Sequence, residues 1–423
     1  MRRLAEEKHH NLTVMPVIIL DGRIFHAPKL IFDTHSQWEV AGLSQGIPRP
    51  LRMRWLQWLR RFFGDPAAAL LGGFARRAYF FLRSLGLRSL KGSLVVFQPG
   101  DTLVMLDICT DLSLKRPLSR AKRAGVNVIF CHYDLIALTH PHLCSRSWVE
   151  AFKRYLSTSI HLADGYLCIS KAARHELSLY LTSQRLSRAR AIRCQQFSLG
   201  SDFVSAGPNS FCGPDEARLG DHMPAAILSP LIEFFNQHDE VIVMVGTIEP
   251  RKNHQLSLEL LRRIAPERPG LALLWLGRAG WRSKDIIREM RFSNYFPGRL
   301  QWFAAASDQE VLYAYHRAAV LLFPSWAEGF GLPIAEAARS GCPVIASDLP
   351  CHRELQASAA QFLPPDDVTA WESALRSLLD RSGPFGAPSE SKTRPALFSW
   401  DDSAEKALQL IRELHVWPRA SEL

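Results

Sequence analysis

Two stretches of the chain bring together residue types suited to a phosphate-bearing ligand. In the first, Val245-Gly-Thr-Ile-Glu-Pro-Arg-Lys-Asn-His254, an arginine and a lysine stand side by side just past a short apolar run. If they leave the carboxyl end of a strand together, Arg251 and Lys252 offer two cations that could neutralise a diphosphate without a metal ion. An Arg-Lys pair on a turn is equally what solvated surface looks like. In the second, Pro324-Ser-Trp-Ala-Glu-Gly-Phe-Gly-Leu-Pro333, a glycine loop separates an apolar run ending at Phe323 from a helical pattern in which Pro333 is expected at the first position. Such a junction aims free backbone N–H groups at an anion, and Gly329 and Gly331 let a diphosphate come close to the main chain. Glu328 precedes the glycines and Glu336 falls in the first helical turn. One carboxylate can face a reacting sugar and the other ribose hydroxyls, although an acid near a helix start also simply favours the helix dipole.

These residues need a scaffold, and the surrounding periodicity supplies one. Runs at 241–245, 271–276, 300–303, 320–323 and 343–346 read as short buried strands. Helical patterns at 253–264, 283–290, 308–318, 333–340 and 369–379 alternate with them. Alternation of this kind gives an α/β fold with a parallel, doubly wound sheet, which binds ligands outside the carboxyl ends of its strands. The first half repeats the rhythm more faintly, with strand candidates at 14–20, 94–97, 103–106, 126–130 and 165–169. The expected organisation is a Rossmann-like domain over 1–206, a linker over 207–237, a second such domain over 238–395 and a C-terminal helix within 396–423, packing back across a central cleft.

At 423 residues the chain is too long for one core, and its 47% hydrophobic and 22% charged content excludes disordered and fibrous classes. No apolar run approaches the roughly 18 residues needed to span a bilayer, and the first 20 residues lack a secretory pattern, so a cytoplasmic location is expected. The eight cysteines are scattered without CxxC spacing, and His140 and His142 alone cannot close a zinc site, so no metal is expected. A net charge of +10 would suit anionic partners, and much of it lies within 49–91, where arginines such as Arg54, Arg60 and Arg61 stand among Trp55, Trp58, Phe62 and Phe63. Two readings stand side by side: a peripheral contact with anionic membrane, and an amphipathic core helix with a solvated arginine face. No nucleic-acid module accompanies the charge, so nucleic acid is not an expected partner.

Taken jointly, the two motifs resemble the donor domains of GT-B glycosyltransferases of the large retaining family 4, with their strand-G-x-x-x-x-R-K-N and E-G-F-G-L-P-x-x-E patterns. Gly341-Cys-Pro-Val-Ile-Ala-Ser-Asp348, with Glu354 beyond, extends the likeness over about residues 240–382. The N-terminal half resembles more loosely the members that transfer mannose in bacterial surface-polysaccharide assembly, through Pro99–Asp107, Tyr133–Pro141 and Ala163–Lys171. The resemblance implies two Rossmann-like domains facing a cleft and a nucleotide-sugar as donor substrate, with mannose from GDP-mannose as the expectation. The acceptor would be a glycan or a lipid-linked glycan, and no cofactor would be required. It further implies that Gly246, Arg251 and Lys252 hold the diphosphate, that Phe330, Gly331 and Leu332 offer main-chain donors, and that Glu336 faces the ribose. Glu328 would contact the donor sugar, and His132, Tyr133 and Asp134 would end a strand near it, although a structural turn explains Asp134 equally well. Gln45-Gly-Ile-Pro-Arg49 only faintly matches the relatives' first glycine loop, so the usual opening segment of the N-terminal domain is expected to be missing. That irregularity keeps a second reading open, a catalytically weak GT-B scaffold or binding subunit of a polysaccharide assembly system.

The two readings of 49–91 are separated by co-sedimentation with vesicles. On the membrane reading the protein pellets with anionic but not neutral lipid, with each surface cation adding about 1 kcal/mol. Binding then fades as salt shortens the Debye length from about 10 Å at 0.1 M to about 3 Å at 1 M, and Arg54, Arg60 and Arg61 changed together to Gln abolish it. Indifference to anionic vesicles at low salt would leave the segment as core and solvated surface.

Overall fold

The computed structural model describes residues 95–108, 110, 115–184, 192–203, 229–355, 357, 360–381 and 398–415, together with four short strands before residue 41. The basic aromatic stretch 49–91, the loop at 45–49 and most of the expected linker, 207–228, lie outside the described residues.

Among the described residues, fourteen strands can be numbered in chain order. β1 (Val17–Leu20) pairs antiparallel with β2 (Arg23–His26), and β3 (Leu30–Phe32) antiparallel with β4 (Trp38–Val40). The strand expected at 14–20 therefore belongs to a local hairpin and not to a parallel sheet: only two residues separate it from its partner, which leaves no room for a crossover. Residues 95–98 form no strand, contrary to the expectation for 94–97. A four-stranded sheet has the order β5-β6-β7-β8, from β5 (Thr102–Met105), β6 (Asn127–His132), β7 (Gly165–Cys168) and β8 (Arg193–Gln196). β8 carries Arg193, Gln195 and Gln196, too polar a run to signal a strand from hydrophobicity.

The second sheet has six strands in the order β11-β10-β9-β12-β13-β14, all parallel. Its members are β9 (Glu240–Val245), β10 (Leu271–Leu276), β11 (Leu300–Phe303), β12 (Val320–Phe323), β13 (Val344–Ser347) and β14 (Ala360–Leu363). Successive side chains of a strand face opposite sides. Val241, Val243, Ala272, Leu274 and Leu276 thus enter one core, while Ile242, Met244, Leu271, Leu273 and Trp275 enter the other. A sheet buried on both faces needs strands apolar at every position, which is why these runs are legible in the sequence.

Among the described residues, twelve helices, also numbered in chain order, connect and flank the strands. They are α1 (Lys115–Arg123), α2 (Ile136–Thr139), α3 (Arg146–Leu162), α4 (Lys171–Ser183), α5 (Ser229–Asn236) and α6 (His254–Ile264). They continue with α7 (Lys284–Arg291), α8 (Asp308–Arg317), α9 (Leu332–Arg339), α10 (Pro350–Arg353), α11 (Val368–Arg381) and α12 (Trp400–His415). Helix α9 begins at Leu332 with Gly331 as its cap, so Pro333 takes the second helical position and not the first. The C-terminal helix α12 packs on the first sheet. Ala407, Leu410 and Leu414 share a core with Ile129 and Leu167, and a Cβ on Gly165 would lie only 3.0 Å from Leu414.

Contacts divide the chain into two compact units: residues 1–103 with 111–128, and residues 104–110 with 129–423. The second unit holds the whole six-stranded sheet and β7 and β8, and all the candidate site residues fall within it.

β9 is the first strand of its sheet in the chain. β10 and β11 are laid down on one side of it, and the chain then returns to place β12 on the other. The loops after β9 and β12 leave this reversal of strand order in adjacent positions, where open parallel sheets form their ligand crevice. Gly277, just after β10, has a φ of 145°, and a Cβ there would meet the Gly246 carbonyl oxygen at 2.1 Å. Gly277→Ala is therefore expected to lower unfolding stability by about 2 kcal/mol or more, from backbone strain and displacement of the β9 loop. A urea melt followed by circular dichroism measures it.

Candidate functional site

The loop after β9 ends in a short 3-10 turn, Pro250–Lys252, whose proline fixes the first φ and leaves Arg251 and Lys252 on consecutive positions. The loop after β12 carries Glu328 opposite them. Lys252 Nζ lies 2.6 Å from Glu328 Oε1, and Arg251 NH1 lies 2.5 Å from Oε2, so each carboxylate oxygen has its own cation. Arg251 also reaches Glu249 at 2.8 Å and donates to the Ala327 carbonyl at 2.9 Å. The Lys252 ammonium sits 4.4 Å from the centroid of the Phe323 ring. A backbone bond from Trp326 N–H to the Arg251 carbonyl, 2.9 Å, closes the two loops on each other. Arg251 and Lys252 are thus not solvated surface: their side chains are 17% and 11% exposed.

Burial would raise the Glu328 carboxyl, but Lys252 and Arg251 outweigh it and hold the group at about 2. Glu328 is a carboxylate at any physiological pH. For Lys252 burial dominates and lowers the ammonium's pKa, with Glu328 opposing that shift. Glu249 moves upward through burial, against the pull of Arg251.

Gly246 has a φ of 138°, and a Cβ there would press on the Lys252 stem at 3.3 Å. Its N–H is committed to the Leu276 carbonyl, 2.9 Å, so Gly246 serves the site through its missing side chain. Gly331 has a φ of 104°, and a Cβ there would meet the His352 ring at 2.9 Å. It starts α9, whose first N–H groups lack acceptors within the helix. Leu332 occupies the first helical position, and Phe330 is buried ahead of it. Glu336 sits one turn further on. It accepts a hydrogen bond from the Tyr315 hydroxyl at 3.1 Å, and burial pushes its carboxyl up to about 7 in spite of that bond.

From the first sheet, β6 ends at His132, and Tyr133 and Asp134 follow it. The Tyr133 carbonyl oxygen lies 2.3 Å from where a Cβ of Gly329 would stand, so the glycine loop is in backbone contact with this turn. The Tyr133 hydroxyl donates to the Leu106 carbonyl, and Asp134 Oδ1 accepts from the Ile136 N–H at 3.0 Å. Asp134 thus does serve a turn. Its carboxyl is raised by burial and lowered by its own N–H bond and by Arg251, which places it in the electrostatic field of the site. His132 is buried, burial lowers its pKa to about 3, and its Nε2 has no protein partner.

His352 and Ser170, which the sequence did not single out, and Glu354, noted there only as part of the family likeness, complete the arrangement. His352 is fully buried beneath Gly331, its Nδ1–H donating to the Ser347 carbonyl at 2.7 Å, which leaves Nε2 as a bare acceptor without a partner. Ser170 donates to the Gly329 carbonyl at 2.7 Å, and Glu354 accepts from two N–H groups of α4. Only their tertiary partners distinguish these residues from ordinary helix-cap and loop residues. Among the described residues no cluster of three or more His, Cys, Asp or Glu could hold a metal ion, and no helix is long and apolar enough to cross a membrane.

Residues 231–392 match the family model described as Glycosyl transferases group 1. Over 281 residues the chain is 27% identical to the serotype-specific mannosyltransferase WbdA of Escherichia coli, an alignment covering 65% of this chain and 33% of that protein. It is 26% identical over 284 residues to the O-antigen chain mannosyltransferase B of Escherichia coli, covering 67% and 69%. The chain thus spans about a third of the length of WbdA. Among solved structures, sucrose-phosphate synthase from Thermosynechococcus elongatus superposes with a TM-score of 0.54 at 18% identity, over 92% of this chain and 86% of that one. Anabaena Alr3699/HepE, solved with UDP and glucose, gives 0.52 at 14% identity over 73% and 77%. The chain has the GT-B glycosyltransferase fold, carries a group 1 glycosyltransferase region on its second sheet, and resembles bacterial mannosyltransferases.

Glu336 makes a sign-defined prediction. Its folded pKa of about 7 lies above the ordinary value of 4.5, so the folded state holds the proton more tightly and stability falls as pH rises from 4.5 to 7. Glu336→Gln removes that dependence, and its stability relative to wild type should improve on the order of 2 kcal/mol between pH 5 and pH 8. Melting curves of both proteins at the two pH values check it.

Proposed function

We propose that this chain transfers a sugar from a nucleotide-sugar donor to a glycan or lipid-linked acceptor in polysaccharide synthesis, with retention at the anomeric carbon. The donor we favour is GDP-mannose, on the strength of the mannosyltransferase relatives. The observation that carries the reading is the convergence of Arg251, Lys252, Glu328 and the start of α9 at the reversal of strand order.

Glu328 neutralises both cations. Folding gains little from such an arrangement, since a buried ion cluster seldom stabilises more than packed apolar groups would. A diphosphate arriving between the cations and the α9 N-terminus would meet Arg251, Lys252 and the Leu332 N–H without needing a metal. As the bond from sugar to phosphate breaks, negative charge grows on the diphosphate, and donors already fixed in place stabilise that charge more than they stabilise the bound ground state. Positive character develops at the anomeric carbon at the same time. Glu328, ionised at working pH, is placed to stabilise it and to accept from sugar hydroxyls. Glu336, partly protonated near neutrality, would serve the ribose hydroxyls as either donor or acceptor. Tyr133 and Asp134, in backbone reach of Gly329, and His132 before them would supply the acceptor side.

Arg251→Ala and Lys252→Ala are each expected to weaken binding of nucleoside diphosphate about 10- to 100-fold, from roughly 1.5–3 kcal/mol per charge-assisted contact. Calorimetry with GDP and UDP in excess EDTA is the measurement. Unchanged affinity in both variants would remove the donor site from these loops, and a strict requirement for added magnesium or manganese would overturn the metal-independent mechanism.

A further inference from the structure

A connection from the first sheet to the glycine loop runs through Ser170 and Glu354. Helix α4, 13 residues long, begins at Lys171, and its first N–H groups need acceptors from outside the helix. The Ser170 hydroxyl accepts from the Ala173 N–H at 3.0 Å, an ordinary local cap. The next two donors are met from far along the chain: Glu354 Oε2 accepts from the Lys171 N–H at 2.7 Å, and Oε1 from the Ala172 N–H at 2.6 Å. Both carboxylate oxygens are engaged, at the end of the helix where negative charge is favoured.

Each end of this connection reaches the residue pair at the heart of the site. Having accepted from Ala173, the Ser170 hydroxyl donates its own proton to the Gly329 carbonyl at 2.7 Å. Glu354 directly follows α10, and from that helix the Cys351 thiol donates to the Glu328 carbonyl at 3.3 Å. The peptide carbonyls of Glu328 and Gly329 are therefore tied, one through α10 and one through Ser170, to the start of a helix that follows β7. The same loop meets the Tyr133 carbonyl at glycine distance. Arg353, between these residues in sequence, turns away to an exposed pair with Asp348 at 2.5 and 2.6 Å and takes no part.

We propose that Ser170 and Glu354 are positioning residues for sugar transfer, fixing the Glu328–Gly329 loop in register with the Tyr133–Asp134 turn. Ser170 bonds Gly329 and Ala173 and Glu354 bonds Lys171 and Ala172, whereas the Arg251 and Lys252 side chains are held by Glu249 and Glu328. Loss of the connection leaves the diphosphate seated while the carboxylate and the acceptor-side turn drift apart. Misplacement of about 1 Å costs on the order of 100-fold in rate. The inference rests on the donor-site reading above.

The test compares wild type with Ser170→Ala, Ser170→Thr, Glu354→Gln and, as a control, Arg353→Ala. Three quantities are measured: affinity for GDP, kcat and KM for mannose transfer from GDP-mannose to mannose oligosaccharides, and the melting temperature. The expected result is a fall in kcat of about 10- to 100-fold in Ser170→Ala and Glu354→Gln, with GDP affinity within about two-fold of wild type by the same argument. Ser170→Thr, which retains the hydroxyl and the cap, recovers most of kcat, and Arg353→Ala leaves it unchanged. Where Glu354→Gln is too unstable to assay, the Ser170 pair decides. Wild-type kcat in Ser170→Ala, in a wild type that binds GDP and turns over, overturns the positioning role alone. Loss of kcat matched by equal loss of GDP affinity and melting temperature overturns it too, since that is the signature of a general folding contact. A wild type that neither binds GDP nor transfers mannose overturns the GDP-mannose donor reading, and the positioning role with it.

Discussion

The arrangement of the second unit turns on one buried carboxylate. Glu328 lies between Arg251 and Lys252 with 9% of its side chain exposed, and each of its oxygens has a separate cation within 2.6 Å. An isolated charge at that depth would be expelled or protonated; two cations make it permanent. The same contacts bind two loops that are 76 residues apart in the chain. The glycine requirements nearby follow from it. Gly246 leaves room for the Lys252 stem, and Gly277 leaves room for Gly246.

The topology makes this meeting possible. A strand order that reverses between β9 and β12 leaves the loops after those two strands without a helix between them. Into that gap come the two cations from one loop and the carboxylate and glycines from the other. Further out, Trp281 donates to the Leu143 carbonyl at 3.1 Å and Arg282 to the His142 carbonyl, so the loop after β10 also reaches the chain segment that follows β6.

Charge in the site is graded by environment. Glu328 is kept ionised by its cations, whereas the Glu336 carboxyl, eight positions later and bonded to the Tyr315 phenol, is raised by burial to about 7. His132 and His352 are held neutral by burial, each with one ring nitrogen unpartnered. Two glutamates of one short motif therefore hold different protonation states near neutrality, which suits one to fixed negative charge and the other to hydrogen-bond exchange.

The sequence by itself determined five of the six strands of the second sheet and the residue types that the loops after them carry. Runs such as Leu271–Leu276 are apolar at every position because both sheet faces are covered. The edge strands were less legible. Arg193–Gln196 and Ala360–Leu363 are half exposed, so burial does not impose an apolar pattern on them. Only the tertiary structure decided what each charged group faces. Whether Arg251 meets solvent or Glu328, whether Asp134 serves a turn, and whether Glu354 caps a helix 183 residues earlier all depend on through-space distance. Hydrophobic periodicity is a local property that each element carries in its own residues; pairing between loops is fixed by strand order and packing, which no short stretch of sequence contains.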